Sequence, residues 1–293
     1  ASPMPDENNY YIKYGFGYAE YIHNSEETVE NLTVFVSKTE NVKINLLNIK
    51  NRTLNSKRIT LVYYIKPVIG EDEKILDYNM NLVFDQQENI ITGKAIYGKE
   101  PSKYIGVTSS EKILSFTGSK KEFIGESNIS DPDGLYMEKL SNENSFGEEG
   151  IIALQIEVNL SPYENKDISI ILGADDEIIT CKQNLEKYKN IDNCYTQYNN
   201  VKKYWEDITG RIQIKTPIKS IDNILNGWIV YQTIVSRLWG RTAYYQSGGA
   251  VGFRDQLQDT LGLKYIMPEM LKNQIIKHAK HQFIEGDVEH WWH

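Results

Sequence analysis

From residue 10 to about 172, apolar and polar positions alternate in short runs separated by turn clusters. Tyr18–His23, Leu32–Val36, Val42–Leu46, Ile59–Ile65 and Ile151–Val158 are rich in β-branched and aromatic residues. Several alternate with period two, as half-buried strands do. Asn51–Ser56, Asp85–Asn89 and Ser130–Gly134 carry the Asn, Asp, Gly and Ser that turns need. Many short strands without intervening helices predict an antiparallel β-sandwich over residues 1–172.

After Gly173 the period changes. Asp175–Tyr188 and Cys194–Ile208 have helical composition, with acid at the first helix start, so residues 173–215 read as a helical linker. Thr216-Pro217 marks a new start, and a long helix over Ser220–Leu238 carries apolar residues on most sides. Two further helices are predicted at Asp255–Tyr265 and Pro268–Phe283. The fold class is multi-domain, β then α, with an all-helical domain opening at residue 216.

Composition is uneven along the chain, because either the second domain is simply aromatic-rich or the chemistry sits in the last third. All five tryptophans (Trp205, Trp228, Trp239, Trp291, Trp292) and four of five histidines (His278, His281, His290, His293) lie in the last third. Three of the six arginines, Arg237, Arg241 and Arg254, fall close together there. The net charge of −8 gives no basic footprint for nucleic acid. Two cysteines, Cys181 and Cys194, fit a reducing, cytoplasmic setting. No signal peptide and no membrane-length apolar run is visible.

The densest candidate is Tyr244–Asp259, YYQSGGAVGFRDQLQD. Gly248, Gly249 and Gly252 permit close approach to a ligand or positive φ. A helix starting near Asp255 sets Asp255 and Asp259 one turn apart, with Gln258 four after Arg254. The bland alternative is a helix start capped by Asp255, with Arg254 in a structural ion pair. The second candidate is the end of the chain, where Trp291 and Trp292 follow the acid-rich stretch Glu285–Glu289. Indole faces suit the apolar face of a pyranose, but the pair equally suits a core. The histidine pattern H-x2-H-x8-H-x2-H lacks cysteine and regular zinc spacing, so no metal is assigned. Tyr14-Gly15-Phe16-Gly17-Tyr18 could contact carbohydrate, but packing in the sandwich is the better reading.

On YQSGGAVGFRDQLQD, FIEGDVEHWWH and the opening YGFGYAEY, the chain resembles the glycoside phosphorylases of the cellobiose phosphorylase family. The resemblance is strongest to its β-1,2-glucan branch, which comprises 1,2-β-oligoglucan phosphorylases and the phosphorylase-like domain of cyclic β-1,2-glucan synthases. It implies a β-sandwich, a helical linker and an (α/α)6 barrel. It also implies an inverting reaction of β-glucan oligosaccharide with inorganic phosphate, without a cofactor, giving α-glucose 1-phosphate.

In such a protein Arg254 and Asp255 belong to the subsite that holds the transferred glucosyl unit. Gln258, Asp259, Trp291 and Trp292 are the further substrate-binding candidates. The loop before GFRD is shorter here than in the cellobiose-cleaving branch, which argues against cellobiose. The resemblance places the general acid and the phosphate-binding groups downstream of His293, so residues 216–293 supply about three of the barrel's twelve helices. The expected partners are therefore sugar and phosphate, the remaining barrel segment in the same or another chain, and a second copy in a homodimer; the non-enzymatic alternative is a carbohydrate-binding sandwich protein.

Overall fold

The computed structural model describes residues 4–68, 80–95, 103–240 and 249–292. The chain divides into two units, Ala1–Val201 and Lys202–His293. The first contains β1 (Asn9–Gly15), β2 (Tyr18–Asn24), β3 (Thr28–Val36), β4 (Val42–Asn51), β5 (Lys57–Ile65), β6 (Met80–Asp85), β7 (Ile90–Ala95), β8 (Tyr104–Ser109), β9 (Ile113–Ser119), β10 (Gly150–Leu160) and β11 (Asn165–Asp175). Among the described residues they form an eight-stranded sheet, β1-β2-β3-β4-β11-β8-β7-β6, and a three-stranded sheet, β5-β10-β9. All these pairings are antiparallel.

The sandwich core follows from the side-chain period of two. Ile152, Leu154, Ile156 and Val158 of β10 meet Ile49, Leu82, Ile91, Val107 and Ile168 of the larger sheet. The alternate residues Ile151 and Ala153 face the other way and pack with Phe123 of α1 (Lys120–Ile124) and Leu140. β10 is thus covered on both faces, which is why it reads as a nearly continuous apolar run. Its one polar interior residue, Gln155, is satisfied by Ser115, by the Leu140 N–H and by the Met137 carbonyl. The turn before β7 closes because Asn89 accepts φ +59° and its amide caps the Glu111 carbonyl.

The segment read as a helical linker contains two helices, α2 (Ile178–Lys187) and α3 (Ile191–Thr209). The division between the units falls after Val201, inside that segment. α2 lies on β8 and β11, where Gly106 and Gly173 are direct cross-strand partners. A Cβ on Gly106 would come within 2.5 Å of Leu185 Cδ1, and one on Gly173 within 3.2 Å of Leu185 Cδ2. The two glycines therefore make the seat that lets α2 approach the sheet. Tyr188, wholly buried at the end of α2, donates to Glu40 Oε2 at 2.7 Å.

One expectation changes in this unit. The aromatic–glycine stretch is expected to pack in the sandwich, but Tyr14 is 75 % exposed. Its hairpin neighbour Tyr18 does pack, edge-on to Tyr198 at 5.1 Å. Among the described residues, the apolar cluster that joins β10 to the larger sheet draws on β4 to β11 and takes no residue from β1.

The second unit begins in α3 and continues through one helical run. That run consists of α4 (Lys219–Asn223), a π-helical segment (Ile224–Trp228), α5 (Ile229–Gln232) and a second π-helical segment (Thr233–Trp239). Then come β12 (Val251–Gly252), α6 (Phe253–Asp259), a 3₁₀ turn (Thr260–Leu263), α7 (Pro268–Ala279) and β13 (Trp291–Trp292). Trp205, nearly buried, anchors this unit edge-on to Tyr231 at 4.6 Å and to Trp239 at 5.7 Å. Among the described residues no helix is long and apolar enough to cross a membrane.

Candidate functional site

Two stretches far apart in sequence meet in the second unit. After α7 the chain makes a tight reversal: Gly286 takes φ +100° and donates its N–H to the Phe283 carbonyl, while Phe283 donates to Asp287. Gln282 and Val288 pair across this hairpin. The returning strand β13 then pairs antiparallel with β12, Val251 opposite Trp292 and Gly252 opposite Trp291. The Phe253 N–H donates to the His290 carbonyl at 3.1 Å. Residues 290–292 are thereby stitched to the residues immediately before Arg254 and Asp255.

α6 is not capped by Asp255. Its N-cap is Gly252, whose N–H donates to Gln256 Oε1 at 2.5 Å. Gln256 thus ties the first turn, and both Arg254 and Asp255 are left exposed. Among the described residues neither forms an ion pair. The structure also divides the polar candidates. Arg254, Leu257, Gln258 and Leu261 share one helix face and, with Phe253, line a shallow depression of about 350 Å³. Asp259 turns elsewhere and is held by Arg237 at 2.5 Å. This ion pair, which the sequence reading did not foresee, accounts for one member of the arginine concentration. Arg241, the loop up to Gly248, and His293 lie outside the described residues.

The tryptophans separate as well. On a two-residue strand, neighbouring side chains take opposite faces. Trp292 turns inward, stacked on His281 at 3.8 Å and 13°, and edge-on to His278 at 5.2 Å. Trp291 is 56 % exposed. His278 is buried, with Nδ1 bonded to the Gln274 carbonyl, and His281 Nδ1 meets Glu289 at 2.5 Å. These histidines pack and clamp; among the described residues no three metal-ligating side chains converge. Glu285 and Asp287 are exposed on the hairpin.

An antiparallel sandwich followed by helices is a layout of carbohydrate-active (α/α)6-barrel enzymes. A bacterial glucoamylase solved with acarbose superimposes with a TM-score of 0.61 at 12 % identity, covering 97 % of this chain and 43 % of that one. The chain belongs to glycosyl hydrolase family 94: residues 1–191 match its supersandwich domain, and residues 204–293 match the catalytic domain of the superfamily. Among curated relatives, a cyclic β-(1,2)-glucan synthase, NdvB of Rhizobium meliloti (strain 1021), is 27 % identical over 283 residues, spanning 96 % of this chain and 10 % of that protein. An N,N'-diacetylchitobiose phosphorylase of Vibrio furnissii is 21 % identical over 295 residues, spanning 96 % of this chain and 36 % of its own length. The chain thus spans between a tenth and somewhat over a third of these relatives.

Proposed function

We propose that this chain is the N-terminal part of an inverting glycoside phosphorylase acting on β-1,2-linked gluco-oligosaccharides, and that it supplies the subsite holding the transferred glucosyl unit. The observation that carries this reading is Arg254. It stands in the first turn of α6, at the positive end of the helix dipole, where a cation is disfavoured by about 0.3–1 kcal/mol. No described counter-ion compensates it, and it faces an open depression beside Gln258. A guanidinium next to a carboxylate, Asp255, can hydrogen-bond several hydroxyls of one ring and fix its orientation. Trp291, carried next to them by the β12–β13 ladder, offers an aromatic face to the sugar's C–H groups.

In the proposed reaction a phosphate oxygen forms a bond to the anomeric carbon as the glycosidic C–O bond breaks. A general acid protonates the leaving oxygen, and inversion gives α-glucose 1-phosphate. The residues here bind and orient; the acid and the phosphate site belong to further barrel helices. Those helices would also cover Trp228, Ile229, Leu261, Tyr265 and Ile275, which are exposed on this unit. Phosphate is a co-substrate and no cofactor is needed. Free, buried Cys181 and Cys194 fit a cytoplasmic protein.

A second reading, the phosphorylase-like domain of a cyclic β-1,2-glucan synthase, is favoured by the relative aligned along 96 % of the chain. It changes the context and not the sugar site. The test is phosphorolysis by the full-length protein: Arg254→Ala and Asp255→Asn should each lower kcat/KM by ~10² or more, with an unchanged melting temperature. Near wild-type values in both would refute the subsite.

A further inference from the structure

We propose that His281 is a positioning residue for the sugar site: with Glu289 it clamps Trp292, and through β13 it sets Trp291 beside the Arg254–Asp255 turn. The proposal rests on the sugar-site reading above and adds a residue that contacts no sugar.

Three contacts tie His281 to the returning chain. Its ring lies nearly parallel to the Trp292 indole at 3.8 Å. Its Nδ1 donates to the Glu289 carboxylate, and its carbonyl accepts the Glu289 N–H at 3.0 Å. These contacts close the hairpin on both sides of its exposed tip. They lie just before β13, which is joined to the rest of the unit by the ladder to Val251 and Gly252 and, one residue earlier, by the Phe253 N–H to the His290 carbonyl. A two-residue ladder is too short to hold itself. Trp292 is its inward anchor, and His281 is the surface on which that anchor rests, backed by buried His278 and by Phe253.

Geometry links the clamp to the binding groups. Trp291 lies directly opposite Gly252. A methyl group on Gly252 would lie 3.1 Å from Gln256 Oε1 and 3.4 Å from Asp255 Oδ2. The strand position of Trp291, the glycine opposite it and the Asp255 carboxylate are thus neighbours. Any loosening of β13 moves the exposed indole relative to the carboxylate.

The test uses the 293-residue chain with three variants. His281→Phe keeps a ring over Trp292 and loses the bond to Glu289. His281→Asn keeps a donor for Glu289 and loses the ring. His281→Ala loses both. Amide hydrogen exchange at Phe253 reports the ribbon, with Ile170 in β11 of the first unit as an internal reference. The expectation for His281→Ala is exchange about 10- to 100-fold faster at Phe253 and unchanged at Ile170, with each single-loss variant between it and wild type.

Binding of β-1,2-linked gluco-oligosaccharide, followed by saturation-transfer NMR, should weaken at least threefold in His281→Ala and recover in part in His281→Phe. Unchanged exchange at Phe253 would overturn the clamp. Faster exchange with undiminished sugar binding, while Arg254→Ala does lose binding, would overturn the positioning role. If Arg254→Ala and His281→Ala both leave sugar binding unaltered, the sugar-site reading fails along with that role, and only the clamp survives.

Discussion

Gly106 offers a sharp test of how the helical segment is seated on the sandwich. Adding a Cβ there places it 2.5 Å from Leu185 Cδ1 and 3.3 Å from Cys181 Sγ. A leucine terminus ordinarily swings aside, but Leu185 is wholly buried and its other methyl already rests over Gly173. Overpacking of this kind destabilises by about 1–3 kcal/mol. Replacing a strand glycine by alanine returns about 0.5–1 kcal/mol through the unfolded chain. Gly106→Ala should therefore destabilise by about 0.5–2 kcal/mol. Leu185→Ala should destabilise by about 2–5 kcal/mol through its cavity.

In the Leu185→Ala background the clash is gone, so the same Gly106→Ala change should reverse sign and stabilise slightly. The assay is urea unfolding of all four members of the double-mutant cycle, with m-values checked for constancy. Strict additivity, or a Gly106→Ala protein as stable as wild type, would refute the argument that Leu185 is pinned between the glycines.

Other consequences follow from the same structure. Burial raises the Glu40 pKa, but the bonds from Lys187, Ser37, Thr39 and Tyr188 outweigh it and hold the carboxyl down at about 2. A depressed carboxylate stabilises fully above its unfolded pKa and loses that contribution as pH falls toward about 2. Glu40→Gln should therefore weaken the protein by about 2–3 kcal/mol at pH 7 and much less near pH 3, measured by denaturant melts at both; a pH-independent difference would contradict the assignment. Residues 1–201 should unfold cooperatively, whereas residues 1–172 should not, because the shorter piece cuts β11 and strips Leu185 and Tyr188 from the sheet; equal thermal transitions would disprove this. The 293-residue chain alone should release no glucose 1-phosphate from β-1,2-glucooligosaccharides and phosphate, and robust turnover would return Asp255, Asp259, Glu285 and Asp287 as candidate acids.

The sandwich was legible because its strands carry their own period. Ile59–Ile65 and Ile151–Val158 read as strands from alternation or β-branched density, and both are strands in the structure. The helix predicted at Cys194–Ile208 lies within the observed Ile191–Thr209. What sequence could not show was pairing between distant segments. Arg237 with Asp259, and Val251–Gly252 with Trp291–Trp292, depend on how helices and the hairpin fold back. The Asp255 cap was a reasonable local reading, but the helix starts earlier, at Phe253, and Gln256 accepts the N–H of the N-cap Gly252. His281 and His278 invited a metal reading by spacing, whereas their partners, Glu289 and the Gln274 carbonyl, become visible only once the hairpin closes and α7 is formed.

The most direct measurement is phosphorolysis by the full-length protein of a panel of β-1,2-, β-1,3- and β-1,4-linked gluco-oligosaccharides, with the anomer of the sugar phosphate read by NMR. The account predicts α-glucose 1-phosphate from the β-1,2-linked substrates and its loss by ~10² in Arg254→Ala. A β-anomeric product, preferred cleavage of another linkage, or turnover indifferent to Arg254 would contradict it.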